Sequence, residues 1–296
     1  MNSGIKLAAF AAVVAATFGG AMVVGANVGP IDVDNGGGHS AENPGSDQGV
    51  ERPRGLAVAE AGYRLAVESD TIGAGSVSQF AFRIVDDAGQ PVPGFQELHE
   101  RPLHLIVLSR NLIDYLHLHP VMDASGRWTV DLPTLTPGSY RVFADFQPDG
   151  ADNLTLGTDV TVAGDVVGAD VPEPSAFSLT GDYHVMLAGT PRVGETELSF
   201  TVELGGEQVR TDPYLGAAGH LVAIRSGDLA YLHVHPHADD TTSVVTFTGE
   251  FPTAGTYRLF FDFSHNGEVR TAAFTVVVPD RSVDGDNTPT SHGEGH

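Results

Sequence analysis

Two stretches of this 296-residue sequence place histidines where several could share one ion. In the first, His104 precedes His117-Leu118-His119-Pro120; in the second, His220 precedes His233-Val234-His235-Pro236, and thirteen positions separate the single His from the first of the pair in both. In an extended chain alternate side chains share a face. His117 and His119 therefore project together about 7 Å apart, and so do His233 and His235, close enough for both rings of a pair to reach one cation. A neighbouring strand carrying His104 or His220 completes a trio of imidazoles. Asp145 and its counterpart Asp262 are the candidate fourth ligands, with water as the alternative, and either set suits Cu(II) or Zn(II).

A lone His in an apolar strand is usually a packed, hydrogen-bonded residue, but six of the thirteen histidines occupy matching places in the two stretches. Packing has no need of imidazole at three clustered positions where Leu or Phe would bury more area. His99, His184, His237 and His265 have no counterpart and read as surface or loop residues. The chain has no cysteine, which excludes disulfides, thiolate zinc sites, iron–sulfur clusters and a blue-copper centre. Met122 and Met186 are unmatched, so nothing marks a thioether site for Cu(I). Imidazole ligands and the affinity order of divalent ions make copper the expected metal and zinc the alternative.

The elements that must position these residues repeat as well. Pro137-Gly138-Ser139-Tyr140-Arg141-Val142-Phe143-Ala144-Asp145-Phe146 parallels Ala254-Gly255-Thr256-Tyr257-Arg258-Leu259-Phe260-Phe261-Asp262-Phe263, and upstream Tyr63-Arg64-Leu65 parallels Tyr183-His184-Val185. This duplication sets one domain at 56–163 and another at 175–280, joined by a linker at 164–174. Within the first copy, β-branched and aromatic residues alternate with polar ones and are cut by Gly, Pro, Asp and Asn. Seven strands follow, over 63–67, 79–85, 104–108, 116–119, 128–132, 139–146 and 159–163. The expected fold is all-β, two tandem immunoglobulin-like or cupredoxin-like β-sandwich domains after an N-terminal hydrophobic helix. Tyr140 and Tyr257 match the tyrosine corner of such sandwiches, with Val142 and Leu259 in the core position two residues on.

Thirty-eight acidic against fifteen basic residues give a formal charge of -23, which repels nucleic-acid phosphates and anionic lipid headgroups. Lys6 followed by an apolar run to Val28 reads as an export signal over 1–28, either cleaved near Ala26 or retained as a membrane anchor. The chain beyond it is then extracytoplasmic. Residues 29–55, rich in Gly, Asp and Asn, read as a flexible linker, and 281–296 as a disordered acidic tail bearing His292 and His296.

The His-x-His-Pro motif with its upstream His, the Pro-Gly-x-Tyr strand and the membrane-proximal start together resemble a group of secreted or membrane-anchored actinobacterial proteins described as heavy-metal-binding. The resemblance spans about 56–280 and implies an envelope location and a metal role. A more distant, fold-level likeness connects the sandwiches to periplasmic copper-resistance carriers and cupredoxin-like proteins. The expected function is non-enzymatic metal buffering, sensing or transfer at the outer face of the membrane, with an envelope metal transporter or chaperone as partner. The alternatives are a metal-free adhesion or spacer module projecting from the membrane and a His-ligated metalloenzyme. The last is disfavoured because no general base or nucleophile is shared by both copies.

Overall fold

The segment Tyr183–Ala188 shows why this chain folds as strands: Tyr183, Val185 and Leu187 are buried while His184, Met186 and Ala188 are exposed, the period of two that lays one face on a core. The computed structural model describes residues 53–232, 234–237 and 243–280, with His235 described by its backbone alone. The expected segment 1–28, most of the linker 29–55, the tail 281–296 and His233 lie outside the described residues. Among the described residues there is no α-helix, and none long and apolar enough to cross a membrane.

The architecture is all-β, two tandem sandwiches. In the first, one sheet runs Ala59–Glu60, Tyr63–Val67, Ser78–Asp86, Trp128–Leu132, Val121–Met122. The facing sheet runs Thr71–Ile72, Leu154–Val162, Gly138–Pro148, Leu103–Ser109, Tyr115–Leu118. In the second, Phe177–Thr180, Tyr183–Ala188, Gly194–Leu204, Val244–Phe251 and Val234–Pro236 face Tyr231–Leu232, His220–Arg225, Gly255–His265 and Glu268–Val278. Phe82, Trp128 and Phe146 fill the first core, and Phe200, Phe247 and Phe261 the second. The tyrosine corners form as their sequence implies. Tyr140 donates to the Thr136 carbonyl at 3.0 Å and Tyr257 to the Thr253 carbonyl at 2.8 Å, each pinning the loop before its strand.

Every residue of Leu103–Ser109 is buried. An edge-to-centre strand of a lone sandwich would bury one face only; this one is covered on both, which is why Leu-His-Leu-Ile-Val-Leu reads as a continuous apolar run. The two sandwiches belong to one compact unit. Between them, Ile106, Leu108, Leu112 and Phe143 of the first pack against Val222, Ile224, Leu229, Tyr231 and Phe260 of the second. The contacts are reciprocal. Tyr115 stacks on Phe260 at 4.1 Å, and Tyr231, its counterpart, lies 5.6 Å from Phe143. Arg258 donates to the Leu112 carbonyl, while Arg141 donates to the carbonyls of Gly55 and Leu56. Arg54 and Gly55, at the end of the expected linker, are thereby part of the fold: Arg54 bridges to Tyr231, and the Gly55 amide donates to Thr155.

Candidate metal centre

The register of the first sandwich sets which way the histidines face. His104 lies opposite Asp145, Leu105 opposite Leu118 and Ile106 opposite His117. Leu103, Leu105 and Val107 enter the core, so His104 takes the other face, with Ile106 and Leu108, toward the second sandwich. His117 shares that face. His119 follows just past the end of Tyr115–Leu118, where the chain leaves this sheet to enter the opposite one at Val121. The three rings converge, with one ligating nitrogen from each lying within 4.8 Å of the others. Their ring centroids are 5.2, 5.0 and 5.0 Å apart. Three imidazoles bound at about 2.0 Å with tetrahedral angles give centroid separations of about 5 Å, so the spacing of the rings is compatible with three imidazoles on one ion.

The hydrogen bonds around the trio determine which nitrogens point inward. Nε2 of His104 lies 2.9 Å from the Leu98 carbonyl, which only accepts, so this nitrogen carries the proton and Nδ1 keeps its lone pair. Nδ1 of His117 donates to the Asp262 carboxylate at 2.8 Å, leaving Nε2 as its inward nitrogen. These two inward nitrogens approach to 2.9 Å. With both rings neutral, two lone pairs face each other there, an arrangement that a cation between them relieves. Nε2 of His119 is also buried and has no hydrogen-bond partner among the described residues. A carboxylate or carbonyl behind each ligating imidazole is the usual outer support of a metal-bound His.

Burial makes protons poor occupants of this site. It holds His104 down to about 4, aided by the positive charge His117 would carry, and His119 down to about 3 with help from His117, His104 and Arg101. His220 is likewise held to about 4, first by burial and then by His99, His117 and His104. His119 borders a cavity of about 750 Å³ shared with Phe95, Arg101, Met122 and Trp128, which gives the trio a side open to an arriving ion.

Of the remaining candidates, Asp145, His220 and Asp262 are described, whereas His233 and the His235 side chain lie outside the described residues. Asp262, from the second repeat, serves the first trio: one oxygen accepts from His117 and from the Tyr115 hydroxyl, and the other accepts from Thr271. It supports a ligand and is not itself inward. Asp145 accepts from Asn153 and Thr155. Both aspartates are buried, because the face that looked solvated in an isolated sandwich is the one that meets the other repeat. His220 lies with the first trio, its ring centroid 6.2 Å from those of His104 and His117. His99, read from sequence as a loop residue, packs 4.9 Å from His220. No repeat signal could have found it, since its counterpart is Leu215. His237 and His265 bond to Thr248 and Tyr183, away from the cluster.

The comparisons with known proteins follow the same duplication. A model for a domain of unknown function, DUF8832, matches residues 57–164 and again 178–280. The chain belongs to the DUF8832 family. No curated protein matches it. Among solved structures, this DUF8832 pair is similar to the Escherichia coli adhesin FdeC at 18% identity and a TM-score of 0.24, covering 75% of this chain and 66% of that one. It is similar to Yersinia pseudotuberculosis InvD at 16% identity and a TM-score of 0.25, covering 75% and 58%. Fibronectin(III)-like modules of Clostridium thermocellum CbhA match at 10% identity and a TM-score of 0.21, covering 78% and 99%. The DUF8832 pair spans less than two thirds of the adhesin and InvD chains, and likeness at these TM-scores carries no argument about function.

Proposed function

We propose that this protein is a non-enzymatic, extracytoplasmic metal-binding module that holds a divalent ion, Cu(II) or Zn(II), at His104, His117 and His119. The single observation that carries this reading is the convergence of three imidazoles, with one ligating nitrogen from each lying within 4.8 Å of the others. The donor set is all imidazole, which suits both metals. The affinity order favours copper, while zinc accepts a tetrahedral set of imidazoles without distortion. With outer bonds from Leu98 and Asp262 already made, binding requires no tautomer change.

A second reading, a metal-free adhesion or spacer pair, is supported by the same hydrogen bonds. A proton between His104 and His117 would complete a chain from Asp262 to the Leu98 carbonyl and join the sandwiches without an ion. It leaves Nε2 of His119 unexplained. Calorimetric titration of the full chain with Cu(II) and with Zn(II), repeated for His119→Ala and for His117→Ala, separates the two. We expect submicromolar binding to the wild type, lost or weakened at least 100-fold in both variants. A folded wild type that binds neither ion leaves the spacer reading in place.

A further inference from the structure

The trio supplies three ligands, and the structure bears on the fourth. Both aspartates once considered for that place are committed elsewhere: Asp262 to His117, Tyr115 and Thr271, Asp145 to Asn153 and Thr155. His220 is differently placed. Its Nε2 donates to the Tyr214 carbonyl at 3.1 Å, six residues upstream, the same bond that His104 makes to Leu98. Nδ1 is therefore its lone-pair nitrogen, as it is in the ligand His104. The ring is buried and stands 6.2 Å from both His104 and His117, roughly an ångström beyond the tetrahedral spacing of about 5 Å.

The turn above it points the same way. In the second repeat the two turn residues between Tyr214 and Ala217 are Leu215 and Gly216, at φ of 53° and 76°. In the first repeat the matching turn between Leu98 and Arg101 uses His99 and Glu100, at φ of 48° and 60°. A non-glycine residue at such angles is strained, and strain of this kind persists where surrounding structure holds it. Here the His99 ring lies edge-on to His220 at 4.9 Å.

We propose that His220 is the fourth ligand, closing by about an ångström toward His104 and His117 when the ion binds, so that the centre becomes four imidazoles drawn from both repeats and the metal ties the sandwiches together. This rests on the trio being a metal site. X-ray absorption at the zinc edge of the Zn(II)-loaded full chain counts the imidazoles directly, without relying on a variant that must fold. Four are expected in the wild type, three with one oxygen in His220→Ala and in the equally sized His220→Gln, and four in His99→Ala. Affinity should fall roughly 10- to 100-fold in the His220 variants. Three imidazoles with an oxygen in the wild type, or four retained in the His220 variants, overturn the assignment while leaving the trio intact. A wild type that takes up no zinc overturns both.

Discussion

Lowering the pH from 7 to 5 in the presence of a chelator should destabilise the protein by a calculable amount. His104 and His220 are buried and held to about 4, whereas an unfolded His titrates near 6.5. Both folded-state values are depressed, so between these limits the unfolded chain binds the more protons. The stability that the neutral rings contribute is present above pH 6.5 and is lost as the pH falls toward 4. Integrated from pH 7 to 5, the loss is about 2 kcal/mol for each ring, or about 4 kcal/mol for the pair. His119 adds to it, but its greater exposure reduces its share. For a unit of this size the pair corresponds to a fall in Tm on the order of 10 °C. The carboxylates held below their usual range, Glu68, Asp123 and Asp228, lose their contribution only below about pH 4.5, outside this window. Thermal unfolding followed by calorimetry at pH 7, 6 and 5 measures the slope, and the double variant His104→Gln with His220→Gln should flatten it. A wild-type Tm that moves by less than about 3 °C would refute the claim that these rings are neutral in the fold.

Two further outcomes test the packing that holds the centre. Gly157→Ala places a Cβ 2.0 Å from the Gly55 carbonyl oxygen and 2.8 Å from an Arg141 guanidinium nitrogen. Denaturant unfolding should show a loss of roughly 1–3 kcal/mol, whereas Gly73→Ala, with nothing within 4 Å, should be close to neutral. Phe260→Ala removes the ring on which Tyr115 stacks in the seam between repeats and should cost about 3–5 kcal/mol. Calorimetry should then resolve two unfolding transitions in place of one, and a single unshifted transition would contradict the coupling of the repeats.

The all-β class and the tandem sandwiches were legible because their signals are local. Alternation in Tyr183–Ala188, turn residues between strands and the Tyr140 and Tyr257 corners each report on a few neighbouring positions. The same alternation put His117 and His119 on one face. What lay beyond sequence reasoning was the meeting of the repeats. Arg141, Phe143 and Asp145 have the parity of an outward face, and only contact with the second sandwich makes that face an interior. The unbroken apolar run at His104–Leu108 was the available hint, since a strand open to water on one side has no reason to be apolar on both. Asp262 and His220 belong to the second repeat yet lie at the first trio, a meeting that reading each copy by itself does not show. His99 was invisible because its place depends on the close approach of two turns far apart in sequence.

The reciprocal seam, with Tyr115 on Phe260 and Tyr231 beside Phe143, has the form of an isologous dimer contact made within a single chain. In a true homodimer every substitution appears at both ends of the two-fold axis, so a change that improves one end burdens the other. Covalent linkage removes that constraint. One end can pair His117 with Asp262 while the opposite end seats Arg54 and Gly55 beside Tyr231 and Thr155. A Glu can likewise occupy the turn position that keeps Gly in the other half. Each half is free to be the other's complement instead of its own, so the two ends of the seam need not carry the same groups.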